Sequence, residues 1–406
     1  MLKHIPLVSV IIPAYNCARY LPDAIASALQ QTHPRVEIVV VNDGSPDNTD
    51  EVVQPYLDRI TYIKQENRGL SAARNVGFRA SHGEFVCFLD TDDILLPDKF
   101  TLQLSKFERE PDLGVVISGY VDVEEDGQTE ILAVKKNWDR DALERMFNHE
   151  VFPPHTAVIR RSVLEASPLF PEDIDTNESQ EDWQLWLDMA LNGVKFSSVP
   201  ESTCKYRNRP GSIRTNPLKH FDGARRVVSW LRQHPQAQIY KERVERLAAI
   251  VEMERVAVAW RISRADLAGE NLVAAVRQSP DFWREPTTYL RLFERSLTLS
   301  ESAQWKRAHD PVWFEATVLG MLHLAGQELS MSELRQLRAS VYLASSDLAY
   351  SMGNDVQRIR AVRLALQNSL FICLSKRGST SVMRGFLGPK IPSGLSNLRA
   401  RTGLEH

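Results

Sequence analysis

Residues 85–97 read FVCFLDTDDILLP, and this stretch decides the fold. An apolar run, Phe85 to Leu89, delivers Asp90, Asp92 and Asp93 to its C-terminal end. Pro97 then fixes φ and removes a donor that a first helical turn does not need, so a helix start is expected at once. Carboxylates at the carboxyl edge of a buried strand lie where open α/β sheets place ligands. Ionised oxygens crowded there repel one another unless something cationic sits between them. A hard divalent cation carrying a phosphate answers that need. The competing reading is plain: Asp-Thr-Asp-Asp before a proline also caps a helix.

Working back from this stretch, the same pattern recurs. Residues 7–12, LVSVII, form a β-branched run suited to a parallel strand covered on both faces. It ends in a turn, Pro13 to Cys17, and a helix is expected from Leu21 to Gln31 with Pro22 in its first turn. A second run, Val36 to Val41, ends in Asn42-Asp43-Gly44-Ser45, with a helix starting near Asp47 or Asn48. Ile60 to Lys64 is a short third strand, followed by a glycine turn and a small-residue helix carrying Arg74 and Asn75. Strand, turn and helix repeated with short loops predict a Rossmann-like doubly wound sheet, its ligand face at the strand ends.

Those ends carry useful side chains. Tyr15 offers a flat face on which a base packs, and Asn16 a bidentate amide. Asp43 is placed to accept a ring N–H of uracil, thymine or guanine. Each also has an ordinary reading, Tyr15 as a rim aromatic and Asp43-Gly44-Ser45 as a turn. Recurrence at successive strand ends favours the ligand reading. There is no GxxxxGK[ST] loop, and no GxGxxG follows the first strand, so metal and side chains must hold any phosphates. That returns weight to Asp90 and Asp92.

Further strands are expected at Gly114–Val123, Thr156–Ile159 and Val194–Val199, with short helices at 139–148 and from Ser162. Residues 170–180 are polar and acidic and read as a mobile loop suited to act as a lid. They run into EDWQLWLDMA (181–190), an amphipathic helix with Glu181 and Asp182 in its first turn. Acids there are favoured by the helix dipole whatever their role. His155, beside Pro153-Pro154, reads either as structural or as a contact to acceptor or metal. Tyr206-Arg207 and residues 210–213 make a basic, turn-rich segment suited to closing over phosphates.

From about Asn216 strand signals vanish, and helical patterns run to about residue 374. Two loosely similar helical hairpins, 265–282 and 347–370, have no clean period. They predict a helical domain over 216–406 after an α/β domain over 1–215, with stability or homodimerisation as its plain role. Residues 356–404 carry lysines and arginines but no acid. Such a tail suits an anionic membrane surface, or packing back on an acidic domain.

Composition narrows the classes. At 406 residues, 25% charged and 43% hydrophobic, the chain suits a two- or three-domain globular protein. A formal net charge of −3 argues against a general polyanion binder, so nucleic acid is not an expected partner. Four scattered cysteines with no CxxC pair fit reduced thiols in a cytoplasmic protein. No window of unbroken apolar residues is long enough to predict a membrane span.

Six stretches together resemble glycosyltransferase family 2, the inverting nucleotide-sugar transferases of the GT-A fold. They are VSVIIPAYN (8–16), VVVNDGSPDNT (39–49), ENRGLSAARNVG (66–77), FLDTDD (88–93), EDWQLWL (181–187) and YRNRPGS (206–212). They cover about the first 215 residues in the family's order. The resemblance implies a mixed, mostly parallel sheet flanked by helices and a nucleoside-diphosphate-sugar donor, most often UDP-linked. It implies that Pro13, Tyr15, Asn16 and Asp43 bind the nucleoside, with Arg74 near the diphosphate. Asp90-Thr91-Asp92 would be the DxD motif, with Asp92, and Asp90 near it or the ribose, holding Mn²⁺ or Mg²⁺. Asp182 of the Glu181-Asp182 pair would be the catalytic base. A bacterial surface glycan or lipid-linked glycan is the implied acceptor, at the inner face of the plasma membrane. One departure is Asn42, where many members carry aspartate. The rival reading is a non-catalytic module whose helical half scaffolds partners.

Overall fold

The computed structural model describes residues 4–134, 137–138, 141–149, 151–172, 179–210, 212, 217–261, 264–285, 288, 318–320, 322–323, 329–351 and 355–369. The chain divides into two compact units, Met1–Val244 and Glu245–His406. The first therefore includes a helix that the change of pattern near 216 assigns to the helical half.

The first unit begins with β1 (Val8–Ala14), α1 (Leu21–Leu29), β2 (Val36–Asp43), the single turn α2 (Thr49–Val52), β3 (Thr61–Gln65), α3 (Leu70–Ala80) and β4 (Phe85–Phe88). Every residue of β1 and β4 is buried, as expected of parallel strands covered on both faces. β1 runs parallel to both β2 and β4, and β2 parallel to β3. Ala14 is level with Asn42 and Ile11 with Phe88, so the three strand ends emerge at one edge. α3 covers β1 and β2 at close range. A Cβ on Gly77 would lie 2.3 Å from Ile11 Cγ2, so this approach requires glycine.

Beyond β4 the chain departs from simple winding. The helix expected at Pro97 begins later, as α4 (Lys99–Arg109). Before it, β5 (Ile94–Leu95) pairs antiparallel with the distant β9 (Lys195–Arg207). β6 (Leu113–Val123), the hairpin strand β7 (Glu130–Val134), α5 (Ala142–Phe147), β8 (Ala157–Arg160), α6 (Arg161–Glu165), α7 (Glu181–Leu191) and α8 (Pro217–Gln233) complete the unit. The sheet order is β3-β2-β1-β4-β8-β6-β9-β5, with β7 on β6. β8 is antiparallel to β4 and to β6, and β6 is parallel to β9. β9 therefore ends at the edge where β1, β2 and β4 end, which brings Arg207 beside the Asp90–Asp93 turn. β9 also runs past its expected end at Val199, because register shifts let it follow β6 to Arg207.

All elements described in the second unit are helices: α9 (Lys241–Arg261), which starts at its boundary, α10 (Ala265–Gln278), α11 (Pro280–Arg284), α12 (Met331–Ser351) and α13 (Asp355–Asn368). Its core gathers side chains such as Val256, Leu272, Trp283, Leu337 and Val341. No described helix is long and apolar enough to cross a membrane. Most of the helical stretches expected at 285–298 and 301–325 lies outside the described residues, as does the tail beyond 369.

Candidate active site

At the β1–β2 end, Tyr15 and Asn16 project beyond the sheet, and Tyr15 is 47% exposed. Asn16 takes the left-handed conformation (φ 50°) and donates its N–H to Ser45 Oγ at 2.8 Å. Asp47 Oδ2 accepts the Ala18 N–H at 2.8 Å, so the two strand-end turns are laced together. Asp43 is only 3% exposed. Its carboxylate accepts Gln65 Nε2 at 2.7 Å and the N–H groups of Arg68 and Gly69, each at 2.9 Å. Gly69, at φ 88°, is what lets the turn fold back onto it. An ionised carboxylate offers about four lone-pair sites, so one acceptor position remains. The Asn42 amide bonds Asp50, Tyr62 and the Ser45 N–H, which makes it a turn organiser.

The acidic end is assembled from three distant segments. Arg74 of α3, whose side chain is 1% exposed, donates Nη2 to Asp90 Oδ1 and Nη1 to Glu181 Oε1, both at 2.6 Å. Burial alone would weaken its charge, but the two carboxylates outweigh that and hold the guanidinium charged. Arg74 thus ties the end of β4 to the start of α7. Its guanidinium lies 5.0 Å from the Phe170 ring centroid, and the Asn75 amide brackets the Phe170 backbone. Glu172 accepts Asn75 Nδ2 and Arg68 Nη2, each at 2.9 Å, which fastens residues 170–172 to α3. Residues 173–178 of the expected lid lie outside the described residues. Thr91 is buried and donates its hydroxyl to the Pro13 carbonyl, locking the turn to β1.

Glu181 and Asp182 open α7 directly after Gln180, which has a left-handed backbone (φ 76°). The helix is anchored by buried Trp183 and Trp186, the latter stacked on Phe152 at 5.0 Å. Burial and the adjacent Glu181 carboxylate push the Asp182 pKa up to about 7, although Arg74 pulls the other way. A carboxylate titrating there is suited to proton transfer near neutrality.

Asp92 is turned towards Arg209, whose Nε lies 2.5 Å from Asp92 Oδ2. Arg207 fixes the same turn from within, donating Nε to the Asp92 carbonyl and its N–H to Asp93 Oδ1. The fully buried His155 places Nδ1 2.8 Å from Asp93 Oδ2, with the Tyr206 ring stacked 5.3 Å away. Burial pushes the Asp93 pKa up to about 6, against the pull of His155. For His155, burial opposes the charged form but Asp93 prevails, so the imidazole is held cationic.

Among the described residues, ligand atoms of Asp90, Asp93 and His155 lie within 4.8 Å of one another, a grouping that does not take in Asp92. Asp90 and Asp92 each keep one oxygen outside their arginine pairs. Hard cations such as Mn²⁺ or Mg²⁺ take carboxylate oxygens, so these two oxygens fit a divalent cation, whereas His155, held cationic against Asp93, has no lone pair to offer it. The sequence did not single out Arg209, and it named Asp93 only as the third carboxylate of the strand end, without a role. Their only signals were membership of YRNRPGS and of the acidic run itself.

With this geometry in hand, residues 9–167 match the family described as glycosyl transferase family 2. Residues 9–167 thus carry a glycosyl transferase family 2 domain. An uncharacterised glycosyltransferase of Rickettsia felis is 43% identical over 127 residues, 30% of this chain and 21% of that protein. A chondroitin synthase of Escherichia coli is 35% identical over 140 residues, 34% of this chain and 20% of that protein. This chain therefore spans only about a fifth of the length of either relative. The crystal structure of S. aureus TarS superposes with a TM-score of 0.51 at 18% identity, covering 79% of this chain and 54% of that one. That likeness supports the GT-A type of fold, a mostly parallel sheet flanked by helices, for this glycosyltransferase domain.

Proposed function

We propose that the glycosyltransferase domain moves a sugar from a nucleoside-diphosphate sugar, most readily a UDP-sugar, to a hydroxyl acceptor with inversion at the anomeric carbon. The observation that carries this reading is the Arg74 bridge, 2.6 Å from both Asp90 and Glu181, which holds a strand-end acidic motif beside the Asp182 carboxylate. In the proposal Tyr15 packs against the base, while Asn16 and the remaining acceptor position of Asp43 take up its polar edge. Pro13 and Thr91, bonded to each other, keep the nucleoside and diphosphate ends in register. A Mn²⁺ or Mg²⁺ held by Asp92 and Asp90 would supply Lewis-acid neutralisation of the leaving diphosphate. Asp182 removes the proton of the attacking hydroxyl, a contribution of roughly 10²–10⁴-fold. Glu181, tied to Arg74, keeps that base poised near neutrality. A single displacement needs no nucleophilic side chain, which accords with this set of groups.

A glycan or lipid-linked glycan acceptor, made at the cytoplasmic face for a bacterial surface polysaccharide, completes the proposal. A relative named a chondroitin synthase supports a polysaccharide setting. Thermal stabilisation by UDP, dTDP, GDP and CMP, each with and without Mn²⁺, tests the donor half. A shift with one diphosphate that needs metal and vanishes in Asp92→Ala is expected. No shift with any nucleotide would favour a scaffolding role instead.

A further inference from the structure

The three arginines around the acidic turn are not equivalent. The Arg74 side chain is 1% exposed and spends both terminal nitrogens on Asp90 and Glu181. The Arg207 side chain is 3% exposed and donates to the Asp92 carbonyl, the Glu125 carbonyl and Asp23. Both are fixed parts of the framework. Arg209 differs. Its side chain is 20% exposed, and among the described residues it grips only Asp92 Oδ2 through Nε and Cys17 Sγ through Nη2, the latter at 3.2 Å. Its guanidinium rests 5.6 Å from the Tyr20 ring centroid, a contact that suits sliding along a face. Asp92, the partner it neutralises, is itself 18% exposed.

We infer that Arg209 is the resident counter-ion of Asp92, a guanidinium that occupies the carboxylate until a divalent cation arrives with a nucleoside diphosphate. This rests on the metal role proposed above for Asp92. Although Asp92 Oδ1 lies outside the pair, a metal bound there would be repelled by the guanidinium 2.5 Å from Oδ2, so Arg209 and the metal compete for the carboxylate. Released from Asp92, Arg209 keeps its charge and its fork of donors, which match the oxygens of a diphosphate. The metal alone is then bound weakly, because it must displace Arg209 without compensation. The metal with a diphosphate is bound tightly, because Arg209 gains a new anion as it loses the old one. Arg209 thereby makes metal binding depend on nucleotide, a coupling between two ligands that is reciprocal by thermodynamic necessity.

The test is Mn²⁺ binding to the full chain without nucleotide, followed by electron paramagnetic resonance or calorimetry, and then the same titration with UDP present. Arg209→Gln is expected to bind Mn²⁺ alone about tenfold more tightly than the unaltered chain, within the usual range of such couplings. UDP should tighten Mn²⁺ binding less in this variant. Arg209→Lys, which keeps the charge, should behave like the unaltered chain, and Arg209→Met serves if the glutamine variant does not fold. Unchanged Mn²⁺ affinity in Arg209→Gln, alongside loss of binding in Asp92→Asn, overturns the inference and leaves the metal role of Asp92 standing. Equal Mn²⁺ binding by Asp92→Asn and the unaltered chain removes that metal role, and the inference with it.

Discussion

The two ends of the ligand edge are held together by opposite means. At the β1–β2 end the tying bonds are local and use backbone amides. Asn16 meets Ser45 across 29 positions, and Asp43 meets Gly69 across 26. At the β4–α7–β9 end the ties are ion pairs between remote segments, Arg74 with Glu181 across 107 positions and Arg209 with Asp92 across 117. The β1–β2 end can therefore take shape as soon as neighbouring loops close. The acidic end exists only when α3, β4, α7 and β9 have all docked. Removing one charge there strands another in a partly desolvated place, whereas removing a polar group at the first end frees only a turn.

That contrast can be broken by measurement. The largest effect is expected for Asp182→Asn, which should lower transfer by about 10²–10⁴-fold while UDP binding persists. Retained transfer would remove Asp182 as the base. Next comes Arg74→Ala, which leaves Asp90 and Glu181 without their cation and should cost about 3–5 kcal/mol in urea unfolding. Asp43→Ala at the other end forfeits hydrogen bonds to one turn and should cost about 1–3 kcal/mol. Equal losses for the two would erase the distinction between the ends. The last effect concerns the pH dependence of stability. Asp182 carries a pKa raised by burial and by Glu181 to about 7, so the folded state binds its proton more tightly than the unfolded chain does. Its contribution is therefore favourable below the ordinary carboxylate range and is lost as pH rises towards 7. Asp182→Asn should accordingly be more stable than the parent at pH 8, the gap closing as the pH falls towards 4.

The sequence disclosed what local rules govern. β1, β2 and β4 are legible because burial on both faces demands unbroken apolar runs, and α7 because its tryptophans recur at helical spacing. β5 was not legible, since two residues, Ile94 and Leu95, form a strand only because β9 lies beside them. The continuation of β9 past Pro200 was hidden for the same reason, its pairing being set by β6. Asp43, Asp90, Asp92 and Asp182 stood out as acids at element ends. Their partners did not, because no local pattern announces that Arg74 will face Glu181 or that Arg209 will face Asp92.

The account turns on Asp182 as a base poised near neutrality, and the pH dependence of kcat/KM for diphosphate release from a UDP-sugar tests it most directly. Only the ionised carboxylate accepts the proton, so the rate should fall about tenfold per unit below about pH 7 and level off above it. Asp182→Asn should lose that limb along with most of the rate. A flat profile from pH 5 to 8, or an unchanged limb in the variant, would contradict the account.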